Sequence, residues 1–353
     1  MGNRIVALDY LRGICACLVM IGHFYVLGTE PAPPPLTLHK LITYSVSVFY
    51  ILSGIALYSV YYKSFHFDFN SFFSFAVKRI FRILPLLWFV TTITIALNHK
   101  IPSYRLLLFN YSGLFGFIEQ RGGIARAAWS IGNEMVFYVL FPVFILLIKN
   151  KNKFPYYLLA VLTFIPALFI TFYRIDESKS VSIGFNYYIN PLNQLFLFAS
   201  GITIAHFFGR ANNRASFSKA TLLVAVAAFL IYPVDSTIHL LYGIDRMILC
   251  AICMVICAMI LMSRLNFPNL INRGLAFIGE TSYSIYLLHP LVYRILEKIF
   301  ASISPSPPNP VALFVLSLAG TLVSSYFTFL FLEKPAMKLG ARIVNLYSPV
   351  TSK

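Results

Sequence analysis

Apolar stretches of about 20 residues, each long enough to cross a bilayer as a helix, recur along this chain about every 30 residues and leave no stretch for a separate soluble domain. They lie near residues 11–29, 41–62, 80–97, 129–148, 154–173, 189–208, 220–234, 246–263, 275–300 and 310–332. In hydrocarbon every backbone polar group must be satisfied within its own segment, which selects helices for runs of this length. The expectation is an all-α, polytopic integral membrane protein with about ten transmembrane helices and one domain over residues 1–353. Charge agrees: 11% of the 353 residues are Asp, Glu, Lys or Arg, against about a quarter in ordinary soluble domains.

The basic residues predict the topology. Sorted by alternating sides, 18 of the 28 Lys and Arg residues fall on the side of the amino terminus, among them Lys63, Lys78, Arg79, Arg82, Lys149, Lys151 and Lys153. Cytoplasmic loops collect Lys and Arg, so both termini are expected in the cytoplasm of a multi-pass plasma (inner) membrane protein. The net charge of +16 is then a product of topology. It is spread over separate membrane-edge sites rather than one stripe, so a nucleic-acid partner is not expected; membrane lipid is. Residues 1–9 carry no signal peptide with a small-residue cleavage site, so the first helix is expected to stay as an anchor.

Two opposite-side segments differ from simple connectors. Residues 98–128 are long, mix aromatics with Arg105, Glu119, Arg121 and Arg126, and hold Gly122-Gly123, which suits a lid or a re-entrant stretch. Residues 304–310, Ser-Pro-Ser-Pro-Pro-Asn-Pro, read as a stiff loop. The five cysteines all lie in apolar segments and read as small core residues. Cys250, Cys253 and Cys257 fall near one helix face, yet no His or carboxylate accompanies them, and no metal is expected.

Four clusters can carry chemistry. In the first, Asp9 and Arg12 are i, i+3 neighbours that can pair, and His23 follows eleven residues after Arg12, close to three whole turns and about 16 Å up the same face. An ionisable ring in mid-membrane is a functional candidate by default; the competing reading is a membrane-edge anchor plus a buried His bonded to a neighbouring helix. The second is Lys78-Arg79-Ile-Phe-Arg82, whose two guanidiniums share a face and suit bidentate capture of phosphate, although positive-inside flanking alone also accounts for them. The third is Trp129-Ser130-Ile-Gly-Asn-Glu134 with Tyr138, where Ser130 and Tyr138 lie one turn to either side of an intramembrane carboxylate. The fourth places Ser282, Tyr286 and His289 along one face, with Pro290 expected to kink the helix and free the carbonyl of Tyr286; it can equally be a polar seam between helices. His39, His66, His99 and His239 fall in loops or span edges, and His206 reads as structural.

Taken in order, Leu8-Asp-Tyr-Leu-Arg-Gly13, His23, Phe49-Tyr-Ile-Leu-Ser-Gly54, Arg79-x-x-Arg82, Trp129-Ser-Ile-x-x-Glu134, Phe137-Tyr138, Ser282-Tyr-Ser-Ile-Tyr-Leu-Leu-His289 and Glu333-Lys-Pro335 resemble the acyltransferase 3 family of polytopic membrane acyltransferases. The resemblance implies transfer of an acyl group, commonly acetyl, from cytoplasmic acyl-CoA to a hydroxyl of an extracytoplasmic cell-surface glycan such as O-antigen, capsule or exopolysaccharide, or of a lipid-linked saccharide. Acetyl-CoA would be donor substrate, and no metal is implied. By the same resemblance Arg12 and His23 match the pair regarded as essential, and Arg79 and Arg82 match the inner-edge arginines.

Physical chemistry then suggests roles. A sugar hydroxyl needs a base, for which neutral imidazole is suited, so His23 is the expected catalytic residue, either taking the proton or carrying the acyl group as an acyl-imidazole. Glu134, at the acceptor's approach, is counted as catalytic with it, and His289 is a second base, a hydrogen-bond donor to the thioester oxygen or a purely structural residue. Arg12, Arg79 and Arg82 would hold the CoA phosphates, and Asp9, Ser53, Trp129, Ser130, Tyr138, Ser282 and Tyr286 would contact substrate. Some relatives add a carboxy-terminal esterase-like domain; the sequence ends shortly after Pro335, so no relay through one is expected. The main rival is a secondary transporter or flippase for a sugar or lipid-linked glycan, with His and Glu as a proton path. It would favour broken helices in two related halves, and no such repeat is visible. A basic-edged scaffold for anionic lipid would explain the arginines but leave His23 and Glu134 without a role.

Overall fold

A computed structural model of the chain describes residues 6–28, 35–119, 121–176, 178–209, 215–263, 265, 267–303 and 308–347. The protein is all-α, at 84% helix with no strand among the described residues. The helices are α1 Val6–Gly28, α2 Leu36–Tyr61, α3 Phe69–Asn98, α4 Tyr104–Ser112, α5 Phe115–Ile118, α6 Ala128–Lys149, α7 Phe154–Leu162, α8 Phe164–Phe169 and α9 Val181–Tyr188. They continue with α10 Pro191–Phe208, α11 Ala215–Ile231, α12 Gly243–Ser263, α13 Asn269–Glu280, α14 Ser282–Ile303, α15 Pro310–Thr328 and α16 Lys334–Tyr347. Single π-helical turns follow α8 at Ile170–Arg174 and α15 at Phe329–Glu333.

Seven helical stretches among the described residues are long and apolar enough to cross a membrane: α1, α2, α3, α6, Phe154–Arg174, α12 and Pro310–Tyr347. The protein is a multi-pass membrane protein. The other windows read from sequence also fall on helices. The 189–208 window falls on α10 apart from its first two residues, and the 220–234 window overruns α11, which ends at Ile231 and whose apolar part is Phe217–Ile231. The 275–300 window needs correction, because the helix breaks at Thr281 between α13 and α14. Thr281 Oγ1 donates to the carbonyl of Phe277 (2.8 Å) and Ser282 Oγ to that of Gly279 (2.8 Å), so two local side-chain bonds satisfy the end of α13. Five of the 18 basic residues on the side of the amino terminus, Arg4, Arg210, Arg214, Arg264 and Lys353, lie outside the described residues, as do residues 304–307 of the Pro-rich segment.

The chain divides into two compact units, residues 1–62 with 147–282 and residues 63–146 with 283–353. In the first unit α2 packs on α1, α10 and α12, while α11 packs on α12 and α13 on α1. The α2–α10 crossing is set by two glycines. A Cβ on Gly54 would lie 2.2 Å from the carbonyl oxygen of Phe198, and one on Gly201 would lie 2.1 Å from that of Ile51. Only a missing side chain on each helix permits that approach. Cys15, Cys250, Cys253 and Cys257 are buried free thiols in this unit. His206 accepts or donates a 2.8 Å bond with Tyr58 at Nδ1, in keeping with a structural His.

The first unit also buries Arg246 completely. Its Nη2 donates to the carbonyl of Asn193 (2.9 Å), its Nη1 bonds the Thr171 hydroxyl, and its guanidinium lies 5.5 and 5.7 Å from the rings of Tyr188 and Phe196.

In the second unit α3 packs on α4 and α16, and α4 on α5. The long 98–128 segment is folded: buried Asn110 on α4 donates to the carbonyls of Leu106 (2.8 Å) and Gly122 (2.6 Å) and accepts from the amide of Ile124 (2.9 Å). One side chain thus supplies the backbone partners that this irregular stretch lacks.

Candidate active site

The residues singled out from sequence divide between the two units. Asp9, Arg12, His23, Ser53 and Ser282 belong to the first; Arg79, Arg82, Trp129, Ser130, Glu134, Tyr138, Tyr286 and His289 belong to the second.

In the first unit the Asp9 carboxylate accepts from Arg12 at 3.3 Å, the i, i+3 pair that the sequence suggested. The segment carrying it is pressed against α13. A Cβ on Gly13 would lie 2.7 Å from the amide nitrogen of Gly279, and one on Gly279 would lie 2.5 Å from the carbonyl oxygen of Asp9. Tyr10 adds a hydroxyl bond to the Asn272 side chain. The Leu-Asp-Tyr-Leu-Arg-Gly string therefore fixes the start of α1 to α13 while it presents Arg12, which keeps 28% of its side chain exposed. His23 is half-buried three turns further along α1. Ser53 is buried on α2 next to Gly54. Ser282 is buried with its hydroxyl committed to the Gly279 carbonyl, so its observed use is to close α13.

The second unit brings three of the candidates into one row. Tyr138 donates to Oε1 of Glu134 at 2.5 Å, and the Arg79 guanidinium lies 5.8 Å from the centre of the Tyr138 ring. Glu134 on α6 is half-buried, one helical turn from Tyr138. Ser130, one turn to the other side, turns elsewhere and donates to the Tyr286 hydroxyl at 2.8 Å. Trp129 is half-buried on the same helix.

Arg82 and Arg79 have different surroundings despite sharing a helix. Arg82 donates to Oε2 of Glu333 at 2.6 Å and lies 5.6 Å from the ring of Tyr283. Glu333 ends the π turn after α15, is 1% exposed, and also accepts from Ser284, whose hydroxyl in turn accepts from Thr328 at 3.1 Å. Tyr283 is held by its own bond to the carbonyl of Ile83 (2.8 Å).

His289 is completely buried on α14, which continues through Pro290. Its Nδ1 lies 3.2 Å from the carbonyl of Ile285 rather than that of Tyr286. A carbonyl only accepts, so Nδ1 carries the proton and the lone pair of the neutral ring sits on Nε2. The Tyr286 ring lies 6.0 Å away.

Sequence reasoning placed Glu333 only within a terminal string and did not see it as the counter-ion of Arg82. A lone carboxylate at the end of the last apolar run was the available signal, since a buried charge needs a partner. Buried Arg246 is not among the residues singled out from sequence; its position just inside an apolar run is the corresponding signal.

Among the described residues no group of three or more His, Cys, Asp or Glu could hold a metal ion. The chemistry these side chains offer is cationic and basic: guanidiniums that can take phosphate or carboxylate in a fork, and an imidazole with an oriented lone pair.

Proteins from Staphylococcus aureus strains COL, MSSA476 and MRSA252, each named "Putative O-acetyltransferase", are 23% identical over 338 residues, covering 85% of this chain and 53% of the relative. The chain thus spans about half the length of the curated relatives it matches. No solved structure matches it. The family model described as an acyltransferase domain matches residues 5–330, nearly the whole length, and the chain belongs to the acyltransferase 3 family.

Proposed function

We propose that the protein is a membrane O-acyltransferase that moves an acyl group, in the first instance acetyl, from cytoplasmic acyl-CoA to a hydroxyl of an extracytoplasmic cell-surface polysaccharide or lipid-linked glycan. The reading includes one acyltransferase domain over the chain, ten spans, both termini in the cytoplasm, and residence in the inner membrane. The observation that carries it is the family match over residues 5–330.

In this reading His23 is the base. Its neutral imidazole takes the proton of the sugar hydroxyl as that oxygen attacks the thioester carbonyl; the carbon–sulfur bond breaks and CoA leaves as the thiol. Transfer through an acyl-imidazole on His23 is the two-step form of the same chemistry. Arg12, Arg79 and Arg82 bind the donor's phosphates. The five guanidinium N–H groups of Arg82 suit it to hold Glu333 and a phosphate together. Glu134, oriented by Tyr138, acts with Trp129, Ser130 and Tyr286 on the acceptor, and Asp9 holds Arg12. Ser53 and Ser282 complete the substrate-contacting set, and His289, through Nε2, is a second base.

The test uses membranes containing the wild type or His23→Ala, radiolabelled acetyl-CoA and the host's extracted surface glycan, with base-labile label on the glycan as readout. Labelling by wild type and not by His23→Ala is expected. Equal labelling by both removes His23 from the chemistry and leaves His289 as the base. No labelling by either, at normal expression, overturns the donor and acceptor assignment.

A further inference from the structure

The first unit carries a groove of about 470 Å³ between α7, α8, α10 and α12, which the chemistry above does not use. Its wall is almost wholly apolar, and the hydroxyls that border it are turned away. Ser200 Oγ donates to the carbonyl of Leu197 (2.7 Å), and Thr203 Oγ1 donates to that of Ala199 (3.0 Å) while bonding Tyr156 (2.7 Å). With its polar atoms satisfied inside the protein, such a groove suits a hydrocarbon chain.

One end of the groove is marked by charge. Its lining residues Tyr157 and Phe207 stack at 6.2 Å with an interplanar angle of 13°. Tyr157 lies one turn after Lys153, which Lys151 and Lys149 precede. The other two helices agree in sequence: Arg210 and Arg214 follow Phe208 at the end of α10, and Arg264 follows α12. Arg210, Arg214 and Arg264 lie outside the described residues; among those described, α7 leaves the groove toward Lys153 and Lys151. An aromatic pair below a basic rim is the pattern of a membrane interface with anionic head groups.

We infer that this groove is a site for one acyl chain of an anionic phospholipid of that leaflet, with the phosphate of its head group held by Lys151 and Lys153. The inference is independent of the catalytic assignments and needs only the membrane setting. The alternative occupants, a lipid chosen for its tail alone or a second copy of this chain, are separable outcomes.

The experiment reconstitutes the full chain into vesicles containing a trace of phosphatidylglycerol or of phosphatidylcholine, each with the same photoreactive acyl chain, and maps the adducts by peptide mass spectrometry. The expected result is labelling concentrated on residues 157–164, 199–208 and 254–259, with phosphatidylglycerol ahead by at least about fivefold, the factor one Lys near an anionic surface supplies. Lys151→Gln/Lys153→Gln, at an exposed and a half-buried position and with an unchanged melting temperature as its control, should bring the two lipids to parity at unchanged peptides. Ala160→Trp, which fills the groove, should abolish its labelling and spare other helices. Equal labelling by the two lipids in the wild type overturns the head-group assignment. Labelling spread evenly over membrane-facing helices overturns the site, as does absence of groove label together with a cross-linked dimer through α10.

Discussion

Arg82 and Glu333, 251 residues apart in sequence, form a 2.6 Å ion pair in which the carboxylate is 1% exposed and the guanidinium 25%. The asymmetry of burial makes the two partners unequal. Removing Arg82 strands a buried carboxylate, for which losses of about 3–5 kcal/mol are usual. Removing the charge of Glu333 leaves an arginine that reaches solvent, at a cost of about 1–3 kcal/mol. Arg82→Ala is therefore expected to lower the apparent melting temperature in detergent more than Glu333→Gln. The double variant should lose less than the sum of the two. Strict additivity would show that the pair contributes nothing to folding and that Arg82 is present for ligand alone.

The glycine contacts separate positions that share a residue type. Gly54→Ala and Gly201→Ala each drive a Cβ to within 2.2 Å of a backbone oxygen on the facing helix, where no side-chain rotation can relieve the clash. Each should cost about 1–3 kcal/mol as α2 and α10 are forced apart. Gly274→Ala on α13 meets nothing within 4 Å and should be neutral or stabilising by about 0.4–1 kcal/mol, through the unfolded chain. The check is the yield and melting temperature of the three variants in one detergent; a tolerated Gly54→Ala would mean that the helices are not in backbone contact.

Asp68 caps α3 outside the membrane-spanning segment, its Oδ1 accepting from the Ser71 amide (2.9 Å) and its Oδ2 from the Ser71 hydroxyl (3.0 Å). The backbone bond from Ser71, helped by its hydroxyl, holds the carboxyl below the usual carboxylate range. A depressed folded value means that the cap's contribution is complete above the unfolded value, about pH 4, and is lost as the pH falls through the folded one. Amide exchange at residues 70–72 should be faster in Asp68→Ala than in wild type at pH 7, and little changed in Asp68→Asn, which keeps the acceptor. Below about pH 4 the wild type should lose protection while Asp68→Asn does not. Equal exchange in Asp68→Ala and wild type at pH 7 would remove the cap.

Much of the fold was legible because hydrocarbon imposes one solution on a long apolar run. Helices α1, α2, α6 and α12 follow from that alone, although α1 and α2 begin about a turn before the apolar windows that predict them. The break at Thr281 has a sequence signal, the polar run Gly279-Glu280-Thr281-Ser282, but it does not by itself mark a helix end, since the bonds that end α13 come from a Thr and a Ser no different from those inside other helices. The Asp9–Arg12 pair was readable because it is local. The Arg82–Glu333 pair was not, because a partner across 251 residues leaves no spacing to measure. Arg79 and Arg82 share a helix face as expected, yet one faces the Tyr138 ring and the other a carboxylate. The motif glycines were visible as letters, and only the facing backbones of Phe198, Ile51 and Gly279 give them a reason.

His289 offers the sharpest separation between holding the fold and taking part in transfer. Its Nδ1–H bond to the Ile285 carbonyl is local to α14, and an Asn amide can reproduce that donor while lacking anything at the place of Nε2. Gln reaches the place of Nε2 and can donate a hydrogen bond there, but cannot take up a proton. If His289 acts as a base, His289→Asn and His289→Gln should both lose about 10²- to 10⁴-fold in kcat, with KM for acetyl-CoA and the melting temperature near wild type. Recovery in His289→Gln alone would assign it as a donor to the thioester oxygen. Full activity in His289→Asn would leave it a purely structural residue, with the chemistry resting on His23.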